Sequence, residues 1–158
     1  REITFWIMGG LYYSSWDGMG VFLAILLATF VPIFLLSYRL NLLSFGDDDA
    51  KTLGISPEIN KVFFIALATL LTAISVSNVG IIAWVGLMAP HAARLILGAD
   101  NRFVLVGAGF LGAIYLEICD TIARTISQSE IPIGIVASIL GAPFLIWLLK
   151  HKKRELMS

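Results

Sequence analysis

The sequence predicts an all-α fold, a polytopic bundle of transmembrane helices. Three observations predict it: a shortage of charge, several uncharged runs of bilayer length, and basic residues gathered at alternate ends of those runs. Of the 158 residues, 58% are hydrophobic and only 14% are charged, with a mean hydropathy of +0.89. Soluble domains carry about 25% charged residues, which they need to cover their surface. The composition therefore argues against a water-soluble globule. Lys plus Arg and Asp plus Glu both number 11, so no net charge points to nucleic acid or to an acidic partner. The single cysteine, Cys119, lies in an apolar run, where it reads as a small buried hydrophobe. No Cys and His cluster has metal-ligand spacing, so no metal site is expected.

A bilayer core about 30 Å thick takes roughly 20 apolar residues as a helix. Phe5 to Tyr13 is apolar and aromatic and reads as the end of a helix reaching an interface. Met19 to Tyr38 has no charge and is followed at once by Arg39; it predicts one span, kinked at Pro32. Residues 41–60 carry three aspartates, a lysine, a glutamate and Pro57, and predict a solvated loop. Within it, Asp47 to Leu53 suits a short helix, with acids at the N-terminal end favoured by the helix dipole. Val62 to Pro90 then runs without charge for about 43 Å of helix, too long for one upright span and too short for two. Asn78 and Gly80 mark a break, predicting a helix from about Asn60 to Ser77, a tight turn, and a shorter helix ending near Leu97. Residues 97–102 read as a polar connection. Phe103 to about Ile126 is the next span, rich in small residues that allow close helix approach. Ser127 to Pro132 reads as a turn, Ile133 to Leu149 as the last span, and the rest as a basic, solvated tail.

The positive-inside rule tests this topology. With Met19–Tyr38 running inward, Arg39, Lys51, Lys61, Arg94, Arg102, Lys150, Lys152, Lys153 and Arg154 all face the cytoplasm. Only Arg124 lies near the outside. Removing the break near Asn78 would put the tail on the wrong side, so the rule supports the break. The opening residues from Arg1 lack the pattern of a signal peptide and read as the middle of a longer chain.

Intramembrane ionisable residues are functional candidates by default. Asp120 and Arg124 are spaced i, i+4, with Glu117 on nearly the same face. They form either a self-neutralising cluster or a docking point at the external mouth, and Glu130 lies in the following turn. His91 reads as interfacial, and Arg94 can snorkel at the cytoplasmic boundary. None of these makes an acid–base pair or a zinc site, so no catalytic residue is expected. The loop from Leu42 to Ile55 is either a plain connection or a docking element for a cytoplasmic partner.

Six runs in order resemble a known family. Phe5-Trp6-Ile7-Met8-Gly9-Gly10 is similar to an FW-x-MG segment. Arg39 to Ala50, with Leu53-Gly54-Ile55, is similar to an RLNLL…GE-x-A…LG(V/I) loop. Val85 to His91 matches (I/V)GL-x-x-PH, and Ala93-Arg94-Leu95 with Gly98 to Arg102 is similar to ARL…GxDHR. Asp120 to Arg124 resembles D-x-x-AR. Glu130 to Val136, with Leu140 to Phe144, is similar to EIP(V/I)G(V/I)(V/L)…(L/I)GAP-F. Together they resemble the permeases of type II ABC importers, which serve iron–siderophore, haem and cobalamin uptake. Departures are small: Asn101 stands where the family has His, and Asp49 is an added acid.

The resemblance implies the C-terminal half of a roughly ten-helix permease in the bacterial inner membrane, one transmembrane domain over 1–158. It implies a second permease subunit, a cytoplasmic ATPase dimer and a periplasmic or lipid-anchored binding protein, all within membrane lipid. ATP would be used by the partner, since no G-x-x-x-x-G-K-[ST] loop occurs and no cofactor is expected on this chain. Leu43, Phe45, Gly46, Asp47, Asp48, Ala50, Leu53 and Gly54 would form the coupling loop. Asp120, Arg124 and Glu130 would receive the binding protein. Pro90, His91, Arg94, Pro132, Gly134, Gly141 and Pro143 are carried as motif residues. The implied cargo is a metal chelate, a ferric siderophore first, with haem, cobalamin and molybdate-type oxyanions open. A secondary transporter or channel is the rival class.

Overall fold

Every regular element among the described residues is an α-helix, because a backbone inside hydrocarbon must satisfy its own hydrogen bonds. The computed structural model describes residues 2–11, 14–126, 128 and 131–157, apart from the side chains of Glu2 and Leu156. In order these helices are α1 (Glu2–Met8), α2 (Trp16–Leu35), α3 (Ser37–Leu43), α4 (Asp47–Thr52), α5 (Pro57–Val79), α6 (Val85–Leu97), α7 (Asn101–Ile126) and α8 (Ile133–Met157). Among the described residues α2, α5, α7 and most of α8 are long and apolar enough to cross a membrane. The 13-residue α6 spans only about 20 Å and does not reach across alone. The chain divides into two compact units: Ser15–Asn78 with Asp100–Arg102, and Arg1–Ser14 with Val79–Ala99 and Phe103–Ser158.

In the first unit, α2 starts at Trp16 and stops at Leu35, so Ser37 and Tyr38 belong to the next helix rather than to the expected span. The interruption falls one turn after Pro32, at Leu36, where the Leu36 amide still reaches the Pro32 carbonyl at 3.1 Å. Ser37, fully buried, donates its hydroxyl to the Phe34 carbonyl at 2.6 Å. The expected acidic short helix is α4. It ends in a Schellman turn: Gly54 (φ +85°) donates to Lys51 and Ile55 to Ala50, each at 3.1 Å. That left-handed residue suits glycine. Pro57 then opens α5, where a missing amide costs nothing.

Side chains tie these short helices to the spans. Arg39 Nη1 donates to Asn60 Oδ1 at 3.0 Å, and the buried Asn60 donates to the Ser56 carbonyl at 2.8 Å. Asn41 Nδ2 donates to Asp100 Oδ1 at 2.8 Å. Asn41 Oδ1 in turn accepts from the backbone amide and side-chain amide of Asn101, both at 2.9 Å. Asn101 and Arg102 thus open α7 rather than lying in the preceding connection. The Arg102 side chain beside Asp100, and then the Asn41 amide, pull the Asp100 carboxyl down to about 2. A depressed carboxyl contributes its stability above its ordinary value near 4 and loses it as the pH falls towards 2. The clamp is therefore complete at any physiological pH.

In the second unit, α1 ends at Met8, well short of Tyr13, and Tyr12 and Tyr13 lie outside the described residues. The Trp6 carbonyl accepts from Gly9 at 3.2 Å and from Ile81 at 3.4 Å, and Gly10 donates to Val79 at 2.9 Å. This places the end of α1 against the break between α5 and α6. That break is not a tight turn at Asn78. Asn78 Nδ2 donates to the Ile74 carbonyl at 2.8 Å and the helix continues to Val79, leaving 80–84 outside any helix. Gly80 adopts φ +75° with its α-carbon against the Trp6 carbonyl, and Gly134 lies against the carbonyls of Met8 and Ile81. No room remains for a β-carbon at either site.

Helices α6 and α8 meet through Met88, Ala92 and Leu148, and α7 and α8 through Cys119, Ala123, Ile133, Val136 and Ala137. Gly107 and Gly112 face Ala93 and Ala89 of α6, as expected for small residues that let helices close. Helix α8 also runs on to Met157, so the basic tail is helical. Lys and Arg are good helix formers and their cations suit a helix C-terminus.

Two outcomes test these contacts in the full-length protein. Gly80→Ala and Gly134→Ala should each destabilise it by about 1–3 kcal/mol through overpacking, read as a lower unfolding midpoint in detergent. Asn41→Ala should raise amide exchange at Asn101 about fivefold, the loss of roughly one hydrogen bond, without displacing the spans. Unchanged midpoints or exchange would show that these approaches do not hold.

Candidate functional site

The segment between α3 and α5 gathers the predicted loop residues on one short scaffold. Ala50 is completely buried and Leu43 is half-buried; these two face inward. Gly46, Asp47, Asp48, Leu53 and Gly54 are exposed, and so is Phe45. Phe45 and Leu53 keep 65% and 56% of their surface open, although both are bulky and apolar. Between them stand Asp47, Asp48 and Asp49 at the start of α4. Bulky apolar side chains beside a charged rim are the usual makeup of a protein-docking surface.

Ion pairs brace the segment from below. Lys61 Nζ holds Asp47 at 2.6 Å and Lys51 Nζ holds Glu58 at 3.4 Å, all four side chains about half exposed or more. Such pairs are worth at most about 1 kcal/mol each. A cavity of about 330 Å³ lies under the segment, bounded by Tyr38, Arg39, Leu42, Ile55 and Asn60.

Asn41 and its partners Asp100 and Asn101 were not picked out as a site by sequence reasoning. Some 60 residues separate them, and no motif links the two runs. The available signal was weaker: both are polar residues at span ends assigned to the same side by the basic residues.

At the other end of α7, Asp120 and Arg124 are joined at 2.8 Å between Arg124 Nε and Asp120 Oδ2. Asp120 is largely covered, its side chain 14% exposed, and Arg124 is open. Glu117 is exposed one turn earlier, with its backbone carbonyl accepting from Thr121. Glu130 lies outside the described residues, so it is not placed against this pair.

The remaining motif residues mostly act in packing. Pro132 is buried just before α8, and its carbonyl accepts from Ile135 at 3.1 Å. Gly141 lies beneath Trp84, itself at φ +73°, and the Tyr115 hydroxyl, which donates to the Ala137 carbonyl at 2.5 Å. Pro90 and Pro143 sit inside α6 and α8. His91 and Arg94 line a separate cavity with α8. Among the described residues no group of three His, Cys, Asp or Glu side chains could hold a metal.

The sequence profile of the FecCD transport family matches residues 1–151. Similar curated proteins include the "Probable iron chelatin transport system permease protein" of Helicobacter pylori, 40% identical over 94% of this chain and 46% of its own length. The hemin transport system permease protein HmuU of Yersinia pestis is 35% identical over 98% of this chain and 47% of its own length. The molybdate import system permease protein MolB of Haemophilus influenzae is 37% identical over 97% and 45%. A solved structure, described as "An inward-facing conformation of a putative metal-chelate type ABC transporter", is 36% identical with a TM-score of 0.90, over 95% of this chain and 49% of that one. The chain spans about half the length of the curated relatives it matches. A profile match over almost every residue, joined to four spans and a close structural likeness, shows that this multi-pass inner-membrane protein belongs to the FecCD transport family.

Proposed function

We propose that the chain is the translocating part of a permease subunit in an ATP-driven importer of metal chelates, with a ferric siderophore as the first cargo to test. The observation that carries this reading is α4: a short helix with an acidic first turn, flanked by exposed Phe45 and Leu53 and fixed to two apolar spans. The permease names of the relatives and the metal-chelate transporter fold support it.

The mechanism follows from what such a helix can do. A cytoplasmic ATPase can move buried spans only through an element that it grips and that moves with them. Residues 43–54 supply the grip. Arg39 to Asn60, and Asn41 to Asp100 and Asn101, carry the displacement into α5 and the start of α7. Nucleotide hydrolysis then belongs to the ATPase dimer, and passage of cargo needs no covalent step on this chain. A second permease subunit would complete the route. Asp120, Arg124 and Glu130 would offer charge to an external binding protein that delivers the chelate.

Two experiments check this. In proteoliposomes holding the full-length permease and its ATPase, a binding protein loaded with ferric siderophore should stimulate ATP hydrolysis and uptake; loading with haem, cobalamin or molybdate should do so less. Failure of any ATPase to associate would instead favour a secondary transporter or channel. Asp48→Lys, at an exposed position, should weaken ATPase association at least about fivefold, because like or lost charge at an interface costs on the order of 1 kcal/mol or more. Membrane insertion should be unchanged. Normal uptake by Asp48→Lys would remove the acidic turn from the mechanism.

A further inference from the structure

The last turns of α6 and α8 enclose a cavity of about 350 Å³, within the size range of small-molecule sites. Its lining is divided. Leu95 and Leu149 form an apolar side, while Arg94, Lys152 and His91 supply cationic and hydrogen-bonding groups. Glu155 is the one acid in the lining, and it also reaches His151 at 3.7 Å. Around the same turns α8 carries Lys150, Lys153 and Arg154, so cations outnumber acids in this stretch of the helix.

The depth of the cavity is fixed by its surroundings. Helix α8 is apolar up to Leu149 and basic from Lys150 onward. Trp147 is 57% exposed and stacks on His151, ring centroids 5.5 Å apart, the arrangement of an interfacial tryptophan. Ile96 and Leu97, in the last turn of α6, are also exposed. The cavity therefore straddles the boundary between hydrocarbon and water. A soluble anion would meet leucines on one side, and a protein segment would have to enter through the apolar belt. An anionic lipid matches both sides, since it joins a phosphodiester to acyl chains. Basic recesses between transmembrane helices on the cytoplasmic side are suited to such headgroups.

We propose that this cavity binds the headgroup of an anionic phospholipid from the cytoplasmic leaflet, its phosphodiester between Arg94 and Lys152 and its glycerol against Leu95 and Leu149. A lipid held there bridges the ends of α6 and α8 beyond the Met88, Ala92 and Leu148 contact. The site stands independently of the transport reading.

Native mass spectrometry of the full-length permease, released from mixed phosphatidylglycerol and phosphatidylcholine vesicles, tests it. Wild type should retain phosphatidylglycerol in preference to phosphatidylcholine. Arg94→Gln with Lys152→Gln should lower that retention at least about tenfold, as expected for two lost contacts to a phosphate. Lys152→Gln alone, on an exposed turn, should lower it several-fold and guards against misfolding of the double variant. Lys150→Gln with Lys153→Gln should retain the lipid. Equal retention of the two lipids, or wild-type retention by the Arg94 and Lys152 variants, would overturn the proposal. So would displacement by inorganic phosphate, which would make the site one for a free anion, or loss of the lipid whenever the ATPase is bound, which would make it a protein contact.

Discussion

Backbone hydrogen bonding in a medium without water is the constraint on which the rest of this structure depends. An unsatisfied amide or carbonyl in hydrocarbon costs several kcal/mol, so the chain can leave the helical state only where other groups take over. The end of α1 and the break after α5 meet this demand jointly. The Trp6 carbonyl takes the amides of Gly9 and Ile81, and the Val79 carbonyl takes that of Gly10. Each interruption supplies partners for the other. Glycine follows as a geometric requirement: at Gly80 and Gly134 a carbonyl occupies the space of a β-carbon. Two helix ends and the non-helical segment 80–84 thus become one packed junction.

The same constraint sorts the polar residues. Hydroxyls within the spans return to their own helix: Thr29, Thr69, Thr72 and Ser75 each donate to a carbonyl four residues back. Ion pairs are left to the ends. Asp120 and Arg124 neutralise each other one turn before α7 stops, and Lys61 meets Asp47 where α5 begins. Apolar side chains meanwhile remain exposed along α2 and α5, where only 11% and 6% of the apolar stretches are buried. Those faces suit lipid or further helices, since nothing polar has to be screened.

Much of this was legible in the sequence because charge and hydrophobic length are one-dimensional signals. The four spans, the short acidic helix 47–52 and the need for a break near residue 80 all follow from them. What escaped was set by contacts. Asn78 looked like a terminator, yet its side chain bonds to Ile74 and the helix continues to Val79. The kink expected at Pro32 emerges as an interruption at Leu36. The basic tail read as solvated chain because charge marks exposure, while helicity there rests on residue propensity and Trp147–His151 stacking. For the Asn41 clamp, pattern and charge put both polar runs on one side of the membrane but carry no information about which of their residues meet.

On the proposed reading of residues 43–54 as a coupling segment, the clamp would be its mechanical link to the spans. Exposed ion pairs under α4 are too weak and too easily screened to carry a displacement of the proposed docking segment. Its stiffness comes instead from the buried Ala50, the Schellman turn at Gly54, and the Arg39 and Asn41 hydrogen bonds, which have fixed geometry. Asn41 suits this role better than a charged residue would. Its amide donates to Asp100 while its carbonyl oxygen accepts from Asn101, so one neutral side chain engages a carboxylate and a helix start together. Aspartate at 41 could not donate, and lysine could not accept. In the proposed importer, therefore, the ionic contacts are suited to recognition at the exposed face, whereas the neutral amide clamp transmits motion to the spans.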